Sequence, residues 1–227
     1  MVVVTFPLRS ADAVDRLLEG YDKTHRFKHE RSEAGEEASI TDVPEGEGKK
    51  TRWLLLGSTG MWKGSGWNDE TSSYDESNER AIAEDRLLAQ RGEVAVVLDL
   101  AGLWGGQRHP SNWIERVAKT KEEVKGKGAL HLAHGEDVAK AIVASWEMWE
   151  KVRGKRWIIC DGWSYDWWGL FVRFATEEQV RYKRWVYELM NEEGVRSLPR
   201  EHKDLGRLMD GRAFWGAVGE VPSTSLI

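Results

Sequence analysis

Short apolar segments alternate with amphipathic ones along the chain, which predicts strands and helices that follow each other in turn. Residues 2–6, 52–56, 94–98 and 157–160 are short and rich in Val, Leu and Ile. Such runs are typical of strands buried on both faces of a parallel sheet. Apolar side chains at helical spacing predict helices over residues 11–21, 79–91, 112–121, 136–152, 165–174, 176–190 and 205–215. The pattern therefore predicts an α/β fold with a parallel sheet.

One polar segment interrupts this alternation. From Lys28 to Lys50 the chain carries seven acidic and four basic residues and almost no large apolar side chain. Burial in such a segment cannot offset the entropy that ordering costs, so residues 22–50 are predicted to form a mobile acidic loop. Residues 1–227 are otherwise predicted to form a single domain, with residues 160–227 as a small, mostly helical lobe that binds substrate.

Composition narrows the classes of function. The net charge of −5 offers no excess of cations to neutralise phosphates, so nucleic-acid binding is not expected. The single cysteine, Cys160, cannot form an internal disulfide, and no apolar run is long enough for a membrane span. We therefore expect a cytoplasmic protein whose partner is a small molecule.

Small residues follow two of the predicted strands. Gly57-Ser58-Thr59-Gly60 comes after the second strand, and Ala101-Gly102-Leu103-Trp104-Gly105-Gly106 after the third. Ligands of alternating β/α proteins bind in the crevice beyond the carboxyl ends of the strands, where loops converge. A binding crevice is therefore predicted at these two turns.

Three segments resemble elements of the extended short-chain dehydrogenases/reductases (SDR). RWLLLGSTGMW at 52–62 is similar to the strand that presents the catalytic Ser or Thr, and VVLDLAGLWGG at 96–106 to the following strand and its R-x-x-x-x-Y-G-P turn. HLAHGEDVA at 131–139 is similar to the I-H-V-D-D-x-A element. Together with VTFP at 4–7, the pattern most resembles the atypical YeeZ-like branch, which is NAD-dependent epimerase/dehydratase-like and occurs in bacteria and fungi.

The resemblance implies a Rossmann-like sheet, a small C-terminal lobe, and NAD or NADP as cofactor. It also implies that the chain is N-terminally truncated and lacks the first βα units, because no glycine-rich turn of the GxGxxG type precedes Val2. The usual Tyr-x-x-x-Lys pair is absent as well. Alignment on Ala83-Glu84 places Glu76 and Arg80 at those two positions, with Tyr74 nearby. A carboxylate beside a guanidinium does not replace a tyrosine activated by an ammonium.

The resemblance and the strand-end turns together give the candidate site residues. The predicted catalytic residues are Ser58, Thr59, Tyr74 and Arg80. The predicted substrate-binding residues are Trp62, Trp104, Arg108, His109, Asn112 and Trp113. If a cofactor binds, Thr5, Phe6, Pro7, Gly57, Ala101 and Gly102 are predicted to contact it. No metal site is predicted.

Structural roles compete with several of these assignments. Hydroxyl side chains in turns often hydrogen bond to backbone groups of the turn, and this is the alternative role for Ser58 and Thr59. His134 and Asp137 precede or open a predicted helix, where caps are common. The tryptophan-rich stretch Trp163–Trp168 could line an aromatic ligand pocket or simply fill the core.

Three functions of different classes fit the sequence. The first is an SDR-like, non-redox isomerase, cyclase or dehydratase that acts on a small organic molecule in the strand-end crevice. The second is an NAD(P)-dependent oxidoreductase or epimerase with a weak or partner-completed cofactor site. The third is a non-catalytic binding protein that forms a homo-oligomer by covering an exposed sheet edge.

Overall fold

The computed structural model describes residues 1–33 and 51–227, and the side chains of residues 1–24 and 51–227. The strands are β1 Val2–Val4, β2 Trp53–Ser58, β3 Gly66–Asn68, β4 Ala95–Leu100, β5 Gly102–Trp104, β6 Ala129–Leu130, β7 Leu132–His134, β8 Arg156–Ile159, β9 Tyr165–Asp166 and β10 Arg207–Met209. The helices are α1 Ala11–Glu33, α2 Glu79–Arg91, α3 Ile114–Val117, α4 Lys121–Lys125, α5 Gly135–Glu147, α6 Trp149–Val152, α7 Trp167–Phe174, α8 Val180–Glu192 and α9 Arg212–Val218. Among the described helices, none is both long enough and apolar enough to cross a bilayer.

The main sheet has four strands in the order β1-β2-β4-β8, and every neighbouring pair is parallel. Its two central strands are the longest, and all six residues of β4 are buried. All four strands were expected from their apolar runs, and the predicted α/β fold with a parallel sheet is confirmed. Because the strands are parallel, their carboxyl ends lie along one edge of the sheet.

Side chains alternate between the two faces of the sheet, and each face has its own core. Trp53, Leu55 and Val97 pack with α1 and α2 on one face. Leu54, Val96 and Leu98 pack with α5, α6 and α9 on the other face. The C-terminal α9 therefore belongs to the sheet layer, and Trp215 fixes it there by donating a hydrogen bond from Nε1 to the Cys160 carbonyl (3.0 Å).

A separate apolar cluster holds the helical part of the chain together. It joins α3, α4, α7 and α8 through buried side chains that include Ile114, Val124, Phe171, Tyr182 and Leu189. Three small strand pairs connect this cluster to the main sheet: β3 with β10, β5 with β7, and β6 with β9. Of these, only β6 and β9 are antiparallel.

The structure corrects several predicted boundaries. Helix α1 continues to Glu33, so residues 22–33 are helical rather than part of a loop, and the remainder of the predicted loop lies outside the described residues. The predicted helix over residues 112–121 is interrupted at Ala118, which is extended (φ −149°, ψ 141°). Thr120 then caps α4 by accepting a hydrogen bond from the Glu123 N–H. The chain also forms the short strand β3 between β2 and α2.

The predicted helix over residues 136–152 is two helices. Met148 leaves helical geometry (φ −102°, ψ 31°), so α5 ends at Glu147 and α6 starts at Trp149. Trp146 lies on the exposed face of α5 and is 47% exposed, whereas Trp149 is buried. The Arg52 guanidinium lies 4.7 Å from the Trp146 ring centroid and 5.0 Å from that of Trp149, so it contacts both indoles.

Candidate functional site

The two hydroxyl residues predicted to be catalytic lie at the carboxyl end of β2 and are used by the turn that follows it. Ser58 Oγ accepts a hydrogen bond from the Gly60 N–H at 3.4 Å. Thr59 is buried, and its Oγ1 donates to the Leu100 carbonyl at 3.5 Å. Both contacts satisfy backbone groups, which favours the turn role over a substrate contact for these two side chains.

The residues predicted to contact a cofactor do not form a closed pocket. Thr5, Phe6 and Pro7 follow β1 and are exposed, Phe6 by 52%. Ala101 and Gly102 continue the main-chain pairing beyond β4, where Ala101 N–H donates to the Ile159 carbonyl and Gly102 N–H to the His131 carbonyl.

Tyr74 lies beside the sheet in a charged contact network. Its hydroxyl donates to both carboxylate oxygens of Asp85 (3.0 and 3.2 Å), and the Arg156 guanidinium lies 4.3 Å from its ring centroid. The Trp62 ring is 6.3 Å away, so these two predicted site residues are brought together. Burial, aided by Asp85, raises the pKa of the Tyr74 phenol, which is the opposite of what a catalytic tyrosine base requires. No hydrogen bond joins Tyr74 to Arg80, which is half-buried on α2.

Two buried carboxyl groups that the sequence reasoning missed lie under this network. Glu84 of α2 and Asp99 of β4 are 1% and 0% exposed, and both Asp99 oxygens and Glu84 Oε2 have no hydrogen-bond donor among the described residues. Arg156 Nη1 is 3.5 Å from Glu84 Oε2, and its Nη2 pairs with Asp85. Burial raises the pKa of Glu84 and of Asp99, and the mutual repulsion of the carboxylates raises that of Glu84 further. A proton shared between the two groups is the simplest way to satisfy their oxygens.

Trp104 and His109, which were predicted to bind substrate, contact each other at a ring distance of 6.2 Å. His134 is closer to Trp104, at 4.8 Å, and it caps α5 by accepting a hydrogen bond from the Glu136 N–H. Trp104 Nε1 is buried and makes no hydrogen bond with the described residues. His109 also lies 5.1 Å from the Phe174 ring of α7. This aromatic cluster therefore joins the loop after β5 to the helical part of the chain.

The other predicted site residues of that loop make their contacts outside this aromatic cluster. Arg108 is exposed, and its backbone exchanges two hydrogen bonds with Gly105. Asn112 is also exposed and donates from Nδ2 to the Gln107 carbonyl. Trp113 is half-buried against the helical cluster. These contacts shape the loop itself.

A further candidate site is a cavity of about 600 Å³ beyond the carboxyl end of β8. Its walls come from the segment after β8, from α7, from Trp67 of β3, and from the loop before β10. The lining residues are Trp67, Gly162, Trp163, Ser164, Tyr165, Asp166, Gly169, Leu170, Val172, Arg173, Leu198, Pro199, His202 and Ile227. Apolar and aromatic side chains dominate the lining, as in most small-molecule sites.

Both interpretations of the tryptophan-rich stretch, a pocket lining and a core, apply to different residues of it. Trp163 and Tyr165 line the cavity. Trp167 and Trp168 instead belong to the helical cluster, where Trp168 is 1% exposed and donates from Nε1 to the Val124 carbonyl at 2.9 Å. The stretch therefore serves both purposes, with adjacent tryptophans divided between pocket and core.

A tyrosine–carboxyl pair holds one wall of this cavity in place. Tyr165 Oη donates to Asp161 Oδ2 at 2.6 Å and accepts a hydrogen bond from the Leu226 N–H at 2.9 Å. Burial raises the pKa of Asp161 to about 6 and also raises that of Tyr165. Asp161 comes two residues after the apolar strand β8, and this position was the only sequence signal for it.

Asp166, next along the same segment, is held by Arg200. The guanidinium contacts both carboxylate oxygens, with Nη2 2.6 Å from Oδ1, and the Arg200 N–H donates to Oδ2. Both partners are at least nine-tenths buried in their side chains. This ion pair fixes the loop that carries Leu198, Pro199 and His202 against the start of α7.

His131 is buried near the same wall. Its Nε2 accepts a hydrogen bond from the Met209 N–H at 3.2 Å, and its ring lies 6.5 Å from that of Trp67. Burial lowers the pKa of His131 to about 4, so the imidazole is neutral near pH 7. Within residues 1–33 and 51–227, no group of three or more His, Cys, Asp or Glu side chains is placed to hold a metal ion.

Comparison with solved structures agrees with this architecture. A functionally unknown conserved protein from Silicibacter pomeroyi is 18% identical, with a TM-score of 0.51 over 76% of this chain and 61% of its own. The fold is Rossmann-like. DesIV, a dTDP-glucose 4,6-dehydratase from Streptomyces venezuelae solved with NAD and TYD, is 14% identical over 77% of this chain and 56% of its own, at a TM-score of 0.48.

A dTDP-glucose 4,6-dehydratase from Bacillus anthracis, solved with NAD, is 13% identical over 77% of this chain and 57% of its own, at a TM-score of 0.45. This chain thus spans less than two thirds of the length of each of these structures. No protein-family model and no curated protein matches the chain.

Proposed function

We propose that this chain is an SDR-like protein that binds a small organic molecule in the cavity beyond β8 and does not use tyrosine-based hydride transfer. The observation that carries the proposal is the cavity itself. It lies at the carboxyl edge of a parallel sheet, where ligands of this fold class bind, and it is largely apolar with a few polar groups. The resemblance of residues 52–62, 96–106 and 131–139 to SDR segments supports the ancestry.

The contacts around the predicted catalytic residues support the non-redox part of the proposal. Ser58 and Thr59 hydrogen bond to backbone groups, and burial together with the hydrogen bond to Asp85 raises the pKa of Tyr74. Such a site lacks an activated phenol, so the chemistry that fits best is isomerisation, cyclisation or dehydration driven by shape and positioning. The alternative remains an NAD(P)-dependent enzyme that binds its cofactor along Thr5–Pro7, Gly57, Ala101 and Gly102.

A cavity-filling substitution tests the location of the site. Gly169 lines the cavity from α7, and a Cβ at this position would meet no atom within 4 Å. Gly169→Leu is expected to keep the fold, because leucine favours helix over glycine by about 0.8 kcal/mol. Because the leucine side chain fills part of the cavity, the substitution is also expected to abolish binding of a neutral aromatic probe such as 2-naphthalenemethanol. Binding is measured by tryptophan fluorescence and by the shift in Tm.

The matched control is Gly216→Leu. Gly216 lies in α9 away from the cavity, and its Cβ would likewise meet no atom within 4 Å. The Gly216→Leu variant should bind the probe as tightly as the unsubstituted protein does. Equal binding by all three proteins would place the site elsewhere, and micromolar binding of NADH or NADPH in the same assay would favour the oxidoreductase alternative.

We also propose that the chain self-associates through the outer edge of β1. Among the described strands, β1 pairs only with β2, and Phe6 just beyond it is 52% exposed. An open edge of this kind readily pairs with a second chain. Light scattering at increasing concentration should show a dimer that Phe6→Glu weakens, while Val143→Glu, an exposed site on α5, leaves it intact. A strict monomer at about 100 μM would contradict this proposal.

A further inference from the structure

Two exposed indoles give the cavity an unusual wall. Trp67 is 55% exposed and Trp163 is 48% exposed, and both line the cavity. The third strongly exposed tryptophan, Trp146, is 47% exposed and contacts the Arg52 guanidinium outside this cavity. Large rings left open to water inside a concave site gain most from an apolar, flat partner.

One cationic side chain in the cavity lining has no ion-pair partner among the described residues. Arg173 lines the cavity from α7, and its guanidinium forms no hydrogen bond or ion pair with any side chain or carbonyl that the structure describes. Its recorded contact is with the Phe174 ring, 5.7 Å from the guanidinium carbon. Asp166, the acidic side chain of the lining, already pairs with Arg200 and does not compensate Arg173. This guanidinium is exposed and unpaired, so it is free to pair with a planar anionic group of a ligand in the cavity.

His202 adds a polar group at the same wall. It lies edge-on to Trp67 at a ring distance of 5.4 Å and also lines the cavity. Its ring makes no hydrogen bond with the part of the chain that the structure describes. A ligand that places its ring against the indoles therefore has both a cation and a second polar side chain within the same cavity.

We infer that the cavity selects an aromatic monoanion: a flat, apolar ring system that packs on Trp67 and Trp163 and carries a carboxylate that pairs with Arg173. This inference rests on the proposed function, because it names the class of ligand for the same cavity. A single unpaired cation matches a single negative charge, and a volume of about 600 Å³ accommodates a bicyclic ring.

The test compares two probes that share one ring system. 2-Naphthoate and 2-naphthalenemethanol differ in charge but have nearly the same apolar surface. At low ionic strength the protein is expected to bind the naphthoate about tenfold more tightly, because a charge-assisted hydrogen bond forms only with the carboxylate. Affinities are measured by quenching of tryptophan fluorescence and checked by calorimetry, and added salt should reduce the preference.

Substitutions assign the effect to named side chains. Arg173→Gln should remove the preference for naphthoate while leaving the affinity for the alcohol unchanged. Arg181→Gln is the control, because Arg181 lies on α8 and pairs with Glu115 outside the cavity. Trp163→Ala should weaken both probes, since it removes ring contacts rather than charge.

The outcomes separate this inference from the proposed function. If the alcohol and the naphthoate bind equally well, or if the preference survives Arg173→Gln, the assignment to an aromatic anion is wrong while small-molecule binding stands. If neither probe binds to a protein that melts cooperatively, the proposed function fails as well.

Discussion

Replacing Gly57 with alanine is expected to lower the free energy of unfolding by about 3 kcal/mol, a large fraction of the stability of a domain of this size. Gly57 lies in β2 directly opposite Asp99 of β4. A Cβ at Gly57 would lie 2.6 Å from Glu84 Oε1 and closer still to Asp99 Oδ1, well inside normal contact distance. Both carboxyl groups are fully buried, so neither can move aside without disturbing the sheet or α2.

Gly60→Ala provides the comparison for this substitution. Gly60 lies three residues further along the same turn, and its Cβ would meet only Ser58 Oγ, at an ordinary 3.6 Å. Its effect should stay within about 0.5 kcal/mol in chemical denaturation. In a Gly57→Ala background, shortening Glu84 to alanine should recover part of the loss, because the two side chains compete for one space. Equal losses for the two glycine variants would mean that the carboxyl groups do not occupy the positions described.

Regular elements of this chain could be predicted because their signals are local. Helix α2 begins and ends where its periodicity predicts, and Asn78 caps it by accepting a hydrogen bond from the Arg80 N–H at 3.0 Å. The four strands of the main sheet could be predicted from their continuous apolar runs, which are typical of a sheet that is covered on both faces. The break at Met148 has no comparable local signal, whereas the break at Ala118 precedes Thr120-x-x-Glu123, a capping-box pattern that marks the start of α4.

The cavity could be predicted only in part. Its tryptophan-rich wall follows the last strand of the main sheet, and an aromatic pocket there was one of two interpretations. Trp67 and His202 reach the cavity from distant parts of the chain because β3 pairs with β10. A pairing between segments so far apart in sequence has no local signal. The catalytic role of Ser58 and Thr59 stays a prediction from a motif position, and in the structure both side chains hydrogen bond to backbone groups of the turn.

Raising the pH from 5 to 8 is expected to destabilise the protein through the buried Glu84–Asp99 pair. Burial holds the folded-state pKa of both groups above the ordinary carboxyl range near 4. A raised pKa means that the folded state retains a proton that the unfolded chain has released. Its stabilising contribution is therefore complete below about pH 4 and is lost as the pH rises, by up to about 1.4 kcal/mol per pH unit for each proton retained.

Glu84→Gln should remove most of this pH dependence and raise the free energy of unfolding at pH 8 by about 2 kcal/mol. The glutamine amide has the shape of the protonated acid and can donate permanently to Asp99, whose oxygens have no donor among the described residues. Burial raises the pKa of Asp161 to about 6, so Asp161 also lowers stability as the pH rises. This contribution is the same in the unsubstituted protein and in Glu84→Gln, so it cancels when their free energies of unfolding are compared.

The control for this experiment is Glu76→Gln, which removes an exposed carboxyl group just before α2 and should leave the slope unchanged. Denaturant unfolding of the three proteins at pH 5, 6, 7 and 8 measures the effect. If Glu84→Gln is no more stable than the unsubstituted protein at pH 8, Arg156 must compensate two ionised carboxylates. The pair would then carry its full charge inside the fold, and its oxygens would be satisfied by the ion pair instead of by a shared proton.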